Sequence, residues 1–180
     1  MNSLDIHSEI SNKFTIFGII LIIFVGLIVR LYYFPYDIPL SLDALSYFAY
    51  AFEISQTGSF PVGIELVNNG WPIFLSLFFS VFESDNFLAY MEIERIVSVL
   101  ISLITVIPVY FLFRKFFIRF ISLIGSAIFL IEPRIIGNSV LGITEPLYIL
   151  LGVTSLVLFL SDKKWIYLSF SVLAIFAIIR

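Results

Sequence analysis

The stretch FTIFGIILIIFVGLIVRLYYF, residues 14–34, contains a single charged residue, Arg30. A helix of about 20 mostly apolar residues is long enough to cross a bilayer. No cleavage motif of small residues follows the stretch, so we interpret it as an uncleaved transmembrane helix and not as a signal peptide. The polar residues 1–13 before it are then predicted to form a cytoplasmic leader.

The composition of the whole chain agrees with a membrane location. Of its 180 residues, 61% are hydrophobic and only 13% are charged, against about 25% charged in soluble domains. The chain has no cysteine, and its one histidine is His7 in the leader. Disulfides, thiolate metal sites and histidine-based triads are therefore excluded. A net charge of −3 and the lack of a basic tract argue against a nucleic-acid partner.

Four further apolar runs predict membrane helices, at residues 96–113, 116–131, 146–161 and 165–179. We expect a kink at Pro108 in the first of these runs, because proline lacks the N–H that a helix interior needs. The predicted fold class is all-α integral membrane, with about five transmembrane helices in one membrane domain over residues 1–180. Because the last run reaches the end of the sequence, we expect this domain to be the N-terminal part of a longer protein.

A shorter apolar run, residues 71–82, decides the predicted topology. Runs of about 10–14 residues are more often interfacial or re-entrant than spanning. If this run does not cross, the basic residues near 114–119 and 163–164 fall on the cytoplasmic side with the N-terminus, as the positive-inside rule favours. If it does cross, both clusters move outside. We therefore predict an external segment over 35–94 that carries two juxtamembrane interfacial helices, with Trp71 at headgroup depth.

The first interfacial helix is predicted over residues 41–55, with Ser41 as its N-cap and Thr57-Gly58 at its end. Apolar residues recur on one face, which includes Phe48 and which we expect to lie in lipid. Asp43 and Tyr47 share another face, together with Tyr50, and this face is expected to line a polar cavity.

Two acidic residues are the candidate catalytic groups. Asp43 and Glu145 each stand in the first turn of a predicted helix, and Thr144 and Pro146 suit the start of the second helix. Stabilisation of an acid by the helix dipole explains such a position without any chemistry. Both acids, however, fall on the same predicted side of the membrane, where they could share a cavity.

Two arginines are candidate phosphate ligands. Arg30 stands near the outer end of the first span, where it either snorkels to the interface or binds a phosphate through its planar fork. Arg95 is a similar case and either pairs with Glu92 or binds substrate.

The order of these features resembles a known family. A first span ends in Arg30-Leu31-Tyr32, an acid followed by Tyr47 comes next, and the helix after it leads into Gly58-Ser59-Phe60-Pro61. Then follow Asn69-Gly70-Trp71-Pro72, a span with Glu94-Arg95, a basic turn, and Thr144-Glu145-Pro146-Leu147. This order is similar to the N-terminal module of GT-C membrane glycosyltransferases, such as dolichyl-phosphate-mannose protein mannosyltransferases and lipid A aminoarabinose transferases. The resemblance covers residues 14–180.

The resemblance implies the inverting transfer of a sugar from a polyprenyl-phosphate donor to an acceptor hydroxyl of a protein, lipid or glycan on the external or luminal face. It implies Asp43 as general base, Glu145 as second catalytic acid, and Arg30, Tyr47 and Arg95 as substrate-binding residues. The chain departs from the family in having Ala44 beside Asp43 where many members have a second acid. The resemblance therefore implies no certain cofactor and leaves a divalent cation open.

Two other functions remain open from the sequence. One is a transporter or flippase for a lipid-linked sugar or another amphiphile, although we find no internal repeat of the kind that transporters carry. The other is a non-catalytic membrane scaffold or a truncated remnant. In each case the chain is expected in a prokaryotic plasma membrane or an ER-type membrane.

Overall fold

A computed structural model describes residues 11–63, 68–82 and 84–179, and over these residues the protein is all-helical. The helices are α1 (Asn12–Tyr32), α2 (Asp43–Thr57), α3 (Gly70–Phe79), α4 (Phe87–Ile104), α5 (Val106–Arg114), α6 (Arg119–Ile131), α7 (Pro133–Leu141), α8 (Glu145–Phe159) and α9 (Ile166–Ile179), with a 3-10 turn at Lys163–Trp165. Residues 1–10 of the predicted leader lie outside the described residues.

Two helical stretches are long and apolar enough to cross a membrane. They are α1 and the run Phe87–Arg114, which joins α4 and α5. Helices α6 and α7 together make a third crossing if a pair bent by 51° is one span. Helices α8 and α9 have only 15 and 14 residues. Length and composition thus support an integral membrane protein, and the five spans stay a prediction.

The second span begins earlier than its hydropathy predicts. Asn86 caps α4 by accepting a hydrogen bond from the N–H of Leu88 at 2.9 Å, so residues 87–94 of the predicted external segment continue into the span. The charges at Glu92 and Glu94 conceal this continuity in the sequence. The break between α4 and α5 lies at Thr105, three residues before Pro108, whose missing N–H leaves the carbonyl of Ile104 without its helical donor.

Helix α2 differs from its prediction at its start and on its apolar face. It begins at Asp43, and the N-cap is Leu42, whose side chain supplies no capping bond and whose φ is 53°. The Ser41 cap is therefore wrong, whereas the end at Gly58 is confirmed by a left-handed φ of 66°. Phe48 does not face lipid, because its ring is buried against Phe79 and Phe87.

Two residues expected at the membrane surface are instead buried in protein. Trp71 is 0% exposed and packs in one core with α2 and α4, so it is not a headgroup anchor. Arg30 is also 0% exposed and does not snorkel. Its interior position has a local cause at Gly26, where a β-carbon would stand 2.3 Å from Leu130 Cδ2. The missing side chain lets α6 approach α1 closely.

The buried guanidinium of Arg30 joins four helices. Its Nε donates to Ser139 Oγ of α7 at 3.1 Å, and its Nη2 donates to Ser102 Oγ of α4 at 2.8 Å and to the Leu130 carbonyl of α6 at 3.3 Å. Nη1 donates to the Gly26 carbonyl of its own helix at 3.1 Å. These four acceptors are neutral oxygens, so the guanidinium is held by hydrogen bonds from several directions.

Replacing Arg30 with lysine tests this role while keeping the charge. The ammonium group of lysine cannot reproduce a planar fork, and hydrogen bonds to charged groups contribute about 1.5–3 kcal/mol each. We expect Arg30→Lys to lower the free energy of unfolding in detergent by at least about 2 kcal/mol. The exposed Arg134 gives the matched control, Arg134→Lys, which should stay within about 0.5 kcal/mol of the unmodified protein. Equal free energies of unfolding for the two variants would contradict the interior position of Arg30.

The burial of Trp71 is measurable by fluorescence, because the chain has only two tryptophans. Trp165 is 42% exposed and Trp71 is 0% exposed. Trp165→Phe should leave a blue-shifted emission from Trp71 that acrylamide quenches weakly, and Trp71→Phe should leave an emission from Trp165 that is quenched several-fold more. Similar quenching in both variants would place Trp71 at the surface.

Candidate functional site

Arg95 holds the segment of chain just before Asp43. The two terminal nitrogens of this arginine donate to successive carbonyls, at 2.6 Å to Ile38 and 3.1 Å to Pro39. Arg95 is buried to 4% exposure in the first half of α4. A rigid helix therefore sets the position of the residues just before α2. The contact is made to backbone carbonyls and uses no side-chain atom of residues 38 and 39.

The turn that leads into Glu145 packs against the same place. Gly142 ends α7 in a left-handed conformation, with φ 79°. A β-carbon at this position would lie 3.3 Å from Leu40 Cδ2 and 3.2 Å from Glu94 Cγ. Leu40 and Leu147 belong to one buried cluster, against which Ile143 packs. The segment before α2 and the segment before α8 thus meet at one end of the bundle, over Glu94 and Arg95.

The two candidate acids differ in their surroundings. Asp43 is the first residue of α2 and is exposed, and the described residues offer no hydrogen bond to its carboxylate. Glu145 is half-buried in the first turn of α8, and its Oε2 accepts a hydrogen bond from Thr144 Oγ1 at 3.3 Å. The N-cap position of Thr144 is confirmed, although its side chain bonds to Glu145 and makes no capping bond to the backbone.

The other predicted site residues divide between two depths. Tyr47 is half-buried against the cluster that holds Leu40, and Arg95 lies beside that cluster. Arg30 is deeper, since its partner Ser102 follows Arg95 by seven residues on α4, which is about 10 Å along the helix axis. The structure therefore gathers Arg95 and Tyr47 with the segments that start α2 and α8, and it places Arg30 inside the bundle.

Glu94 is the buried residue that sequence reasoning passed over. It is 0% exposed, its Oε1 accepts from Trp71 Nε1 at 3.4 Å, and its Oε2 has no hydrogen-bond partner among the described residues. The signal was present in the sequence, because Glu94, Ser98 and Ser102 recur every four residues within an apolar helix. The charge of Glu94 favours the external segment, whereas its spacing from Ser98 and Ser102 places it on a polar face of α4.

The donor set for a metal ion is incomplete. Within residues 11–63, 68–82 and 84–179, no three side chains of His, Cys, Asp or Glu come together around one point. Most protein metal sites take several such ligands. The described residues thus supply no such cluster of protein ligands, and the divalent cation that the resemblance leaves open stays untested.

Comparison with protein-family models, with curated proteins and with solved structures gives no match for this chain.

The role of Arg95 in holding the chain can be tested by hydrogen exchange. Arg95→Gln removes the charged fork that grips Ile38 and Pro39, and each such bond is worth about 1.5–3 kcal/mol. We expect backbone exchange in a peptide spanning 36–45 to accelerate at least about tenfold in detergent. A peptide spanning 163–170 should be unaffected, as should the matched variant Arg134→Gln. Unchanged exchange at 36–45 in Arg95→Gln would show that the segment is held by other contacts.

Proposed function

We propose that the protein is a membrane glycosyltransferase of the GT-C type. It transfers a sugar from a polyprenyl-phosphate donor to an acceptor hydroxyl, with inversion at the anomeric carbon. The observation that carries this proposal is the close approach of Leu40 to the Gly142 turn, where a β-carbon on Gly142 would stand 3.3 Å from Leu40 Cδ2 and where Ile143 packs on the cluster that holds Leu40. Asp43 follows Leu40 by three residues and Glu145 follows Gly142 by three, so two acids that start different helices belong to one end of the bundle.

The chemistry assigns each acid a separate task. Asp43 takes the proton of the acceptor hydroxyl as its oxygen attacks the anomeric carbon, because a carboxylate is a suitable general base. The bond between that carbon and the phosphate oxygen breaks, and polyprenyl phosphate leaves with the bonding electrons. The exposed carboxylate of Asp43, which has no hydrogen-bond partner among the described residues, can meet an acceptor. The half-buried Glu145, held by Thr144, orients the acceptor.

The leaving phosphate needs positive charge nearby. Arg95 is a cation beside the two helix starts, and its Nε has no hydrogen-bond partner among the described residues. Binding of the phosphate by Arg30 stays a prediction, and it requires the phosphate to reach about two helical turns into the bundle.

The lipid part of the donor needs an apolar surface. A groove of about 510 Å³ lies along α3 and the start of α4, lined by Phe74, Leu77, Phe78, Val81, Phe82 and Ile93. An isoprenoid chain suits such a lining, since it has no polar group to satisfy. We propose the external or luminal face of the membrane for this end of the bundle, with the N-terminus in the cytoplasm and the bilayer, the lipid-linked donor and a hydroxyl acceptor as partners.

One observation favours a transporter as the second candidate. Helices α6 and α7 are broken by 51° at Glu132, and broken helices around a buried charge are typical of transport sites. A transporter should move a lipid-linked sugar across the membrane of proteoliposomes without transferring the sugar to an acceptor. Measuring transfer and translocation in the same vesicles separates the two functions.

Substitution of Asp43 tests the proposed reaction. In the full-length protein, Asp43→Asn should lower sugar transfer from a labelled polyprenyl-phosphate donor at least about 100-fold, because a positioned general base contributes 10²–10⁴-fold. Binding of the donor should be unchanged. Glu145→Gln should reduce transfer less and raise the KM for the acceptor.

The matched control is Asp85→Asn. Asp85 is an exposed acid of the same predicted external segment, and its substitution should leave transfer within about twofold of the unmodified rate. Turnover of Asp43→Asn at the rate of this control would end the proposal.

A further inference from the structure

Four polar residues of α4 and its C-cap form one buried stripe. Glu94, Ser98, Ser102 and Thr105 follow one another at intervals of four, four and three residues, which places them on one helix face. Their exposed fractions are 0%, 0%, 3% and 2%. The stripe runs for about 16 Å along the helix axis, from the end of the bundle that carries Arg95 to the level of Arg30.

The half of this stripe that is nearer to Arg95, with Glu94 and Ser98, has hydrogen-bonding groups without partners among the described residues. Other buried hydroxyls donate to a carbonyl, as Thr105 does to Ile101 at 2.7 Å and Ser126 does to Ser122 at 2.8 Å. Ser98 is different, because its Oγ has no partner among the described residues, and neither has Glu94 Oε2 one turn away. Both side chains are completely buried, so bulk solvent does not satisfy them directly.

The other half of the stripe, with Ser102 and Thr105, lines a small cavity. Ser102 accepts the hydrogen bond of Arg30 Nη2 at 2.8 Å. Ser102 and Thr105 also line a space of about 10 Å³ together with Asn138. A cavity of this size holds about one water molecule when polar groups surround it. The polar groups of its lining are the hydroxyls of Ser102 and Thr105 and the amide of Asn138, beside four apolar residues. Such a molecule would bind these three groups, and Arg30 lies next to them through its bond to Ser102.

We propose that the buried face of α4 from Glu94 to Thr105 is a hydrated polar file. Its ligands are water molecules, which bridge Glu94 Oε2 to Ser98 Oγ and continue past Ser102 to the surroundings of Arg30. The file solvates a cation that has no carboxylate partner among its hydrogen bonds, and it connects Glu94 to water for proton exchange. Ionisable groups inside membrane proteins commonly have such a role. The file does not depend on glycosyl transfer.

Cysteine accessibility tests the file directly, because the chain has no cysteine of its own. Silver ion is the probe, since it is close to water in size and reacts with the thiolate, a form that needs a hydrated site. Ser98→Cys is exposed to Ag⁺ in native membranes, the protein is then denatured, and unreacted thiol is counted with a fluorescent maleimide.

The matched controls are Val97→Cys and Val99→Cys, which flank Ser98 and are also buried, at 5% and 4% exposure, but lie on other faces of α4. We expect Ser98→Cys to react at least about tenfold faster than either control. Ser102→Cys is a second reporter at the lower end of the file. Folding of each variant is checked by its elution as a single species in detergent. The proposal is overturned if the folded serine-site reporters react no faster than the two valine-site controls.

Discussion

The buried guanidinium of Arg30 is the constraint on which the rest of the bundle depends. A cation inside a membrane protein is costly unless polar groups surround it. Here α4, α6 and α7 each supply an oxygen, from Ser102, Leu130 and Ser139, and α1 supplies the Gly26 carbonyl. The need to meet one planar group fixes the relative position of four helices, and the absence of a side chain at Gly26 lets them come close enough.

Helix α4 carries this order from the interior to the end of the bundle. Its Ser102 meets Arg30, while Glu94 and Arg95, two turns earlier, hold Trp71 of α3 and the carbonyls before α2. Glu94 and Arg95 thus attach both α2 and α3 to α4, and α4 is itself held in place by the hydrogen bond between Ser102 and Arg30. The proposed site inherits its geometry from that arrangement, because the chain enters α2 and α8 over the same pair of residues.

Hydropathy and turn chemistry predicted the apolar helices well, since both depend on local sequence. The ends at Gly58 and Ile131 and the N-cap at Thr144 agree with the structure. Besides the Ser41 cap and the start of the second span, the errors concern Arg30, Trp71 and Phe48, whose residue types favour the membrane surface. Their burial depends on contacts with residues far along the chain, such as Ser139 and Glu94, which no local pattern contains. The starts of α2 and α8 meet where the Gly142 turn packs on Leu40, a contact between residues far apart in the chain. The sequence therefore identifies Asp43 and Glu145 as candidates but does not show that their segments are close.

A double-mutant cycle between Arg30 and Ser102 tests the central claim most directly. Arg30→Lys, Ser102→Ala and the double variant are compared by their free energies of unfolding in one detergent. Residues in one buried hydrogen-bond network show coupling of about 0.5–3 kcal/mol, and a charged bond at 2.8 Å should give at least about 1 kcal/mol. Additive effects, within about 0.5 kcal/mol, would contradict the buried network around Arg30.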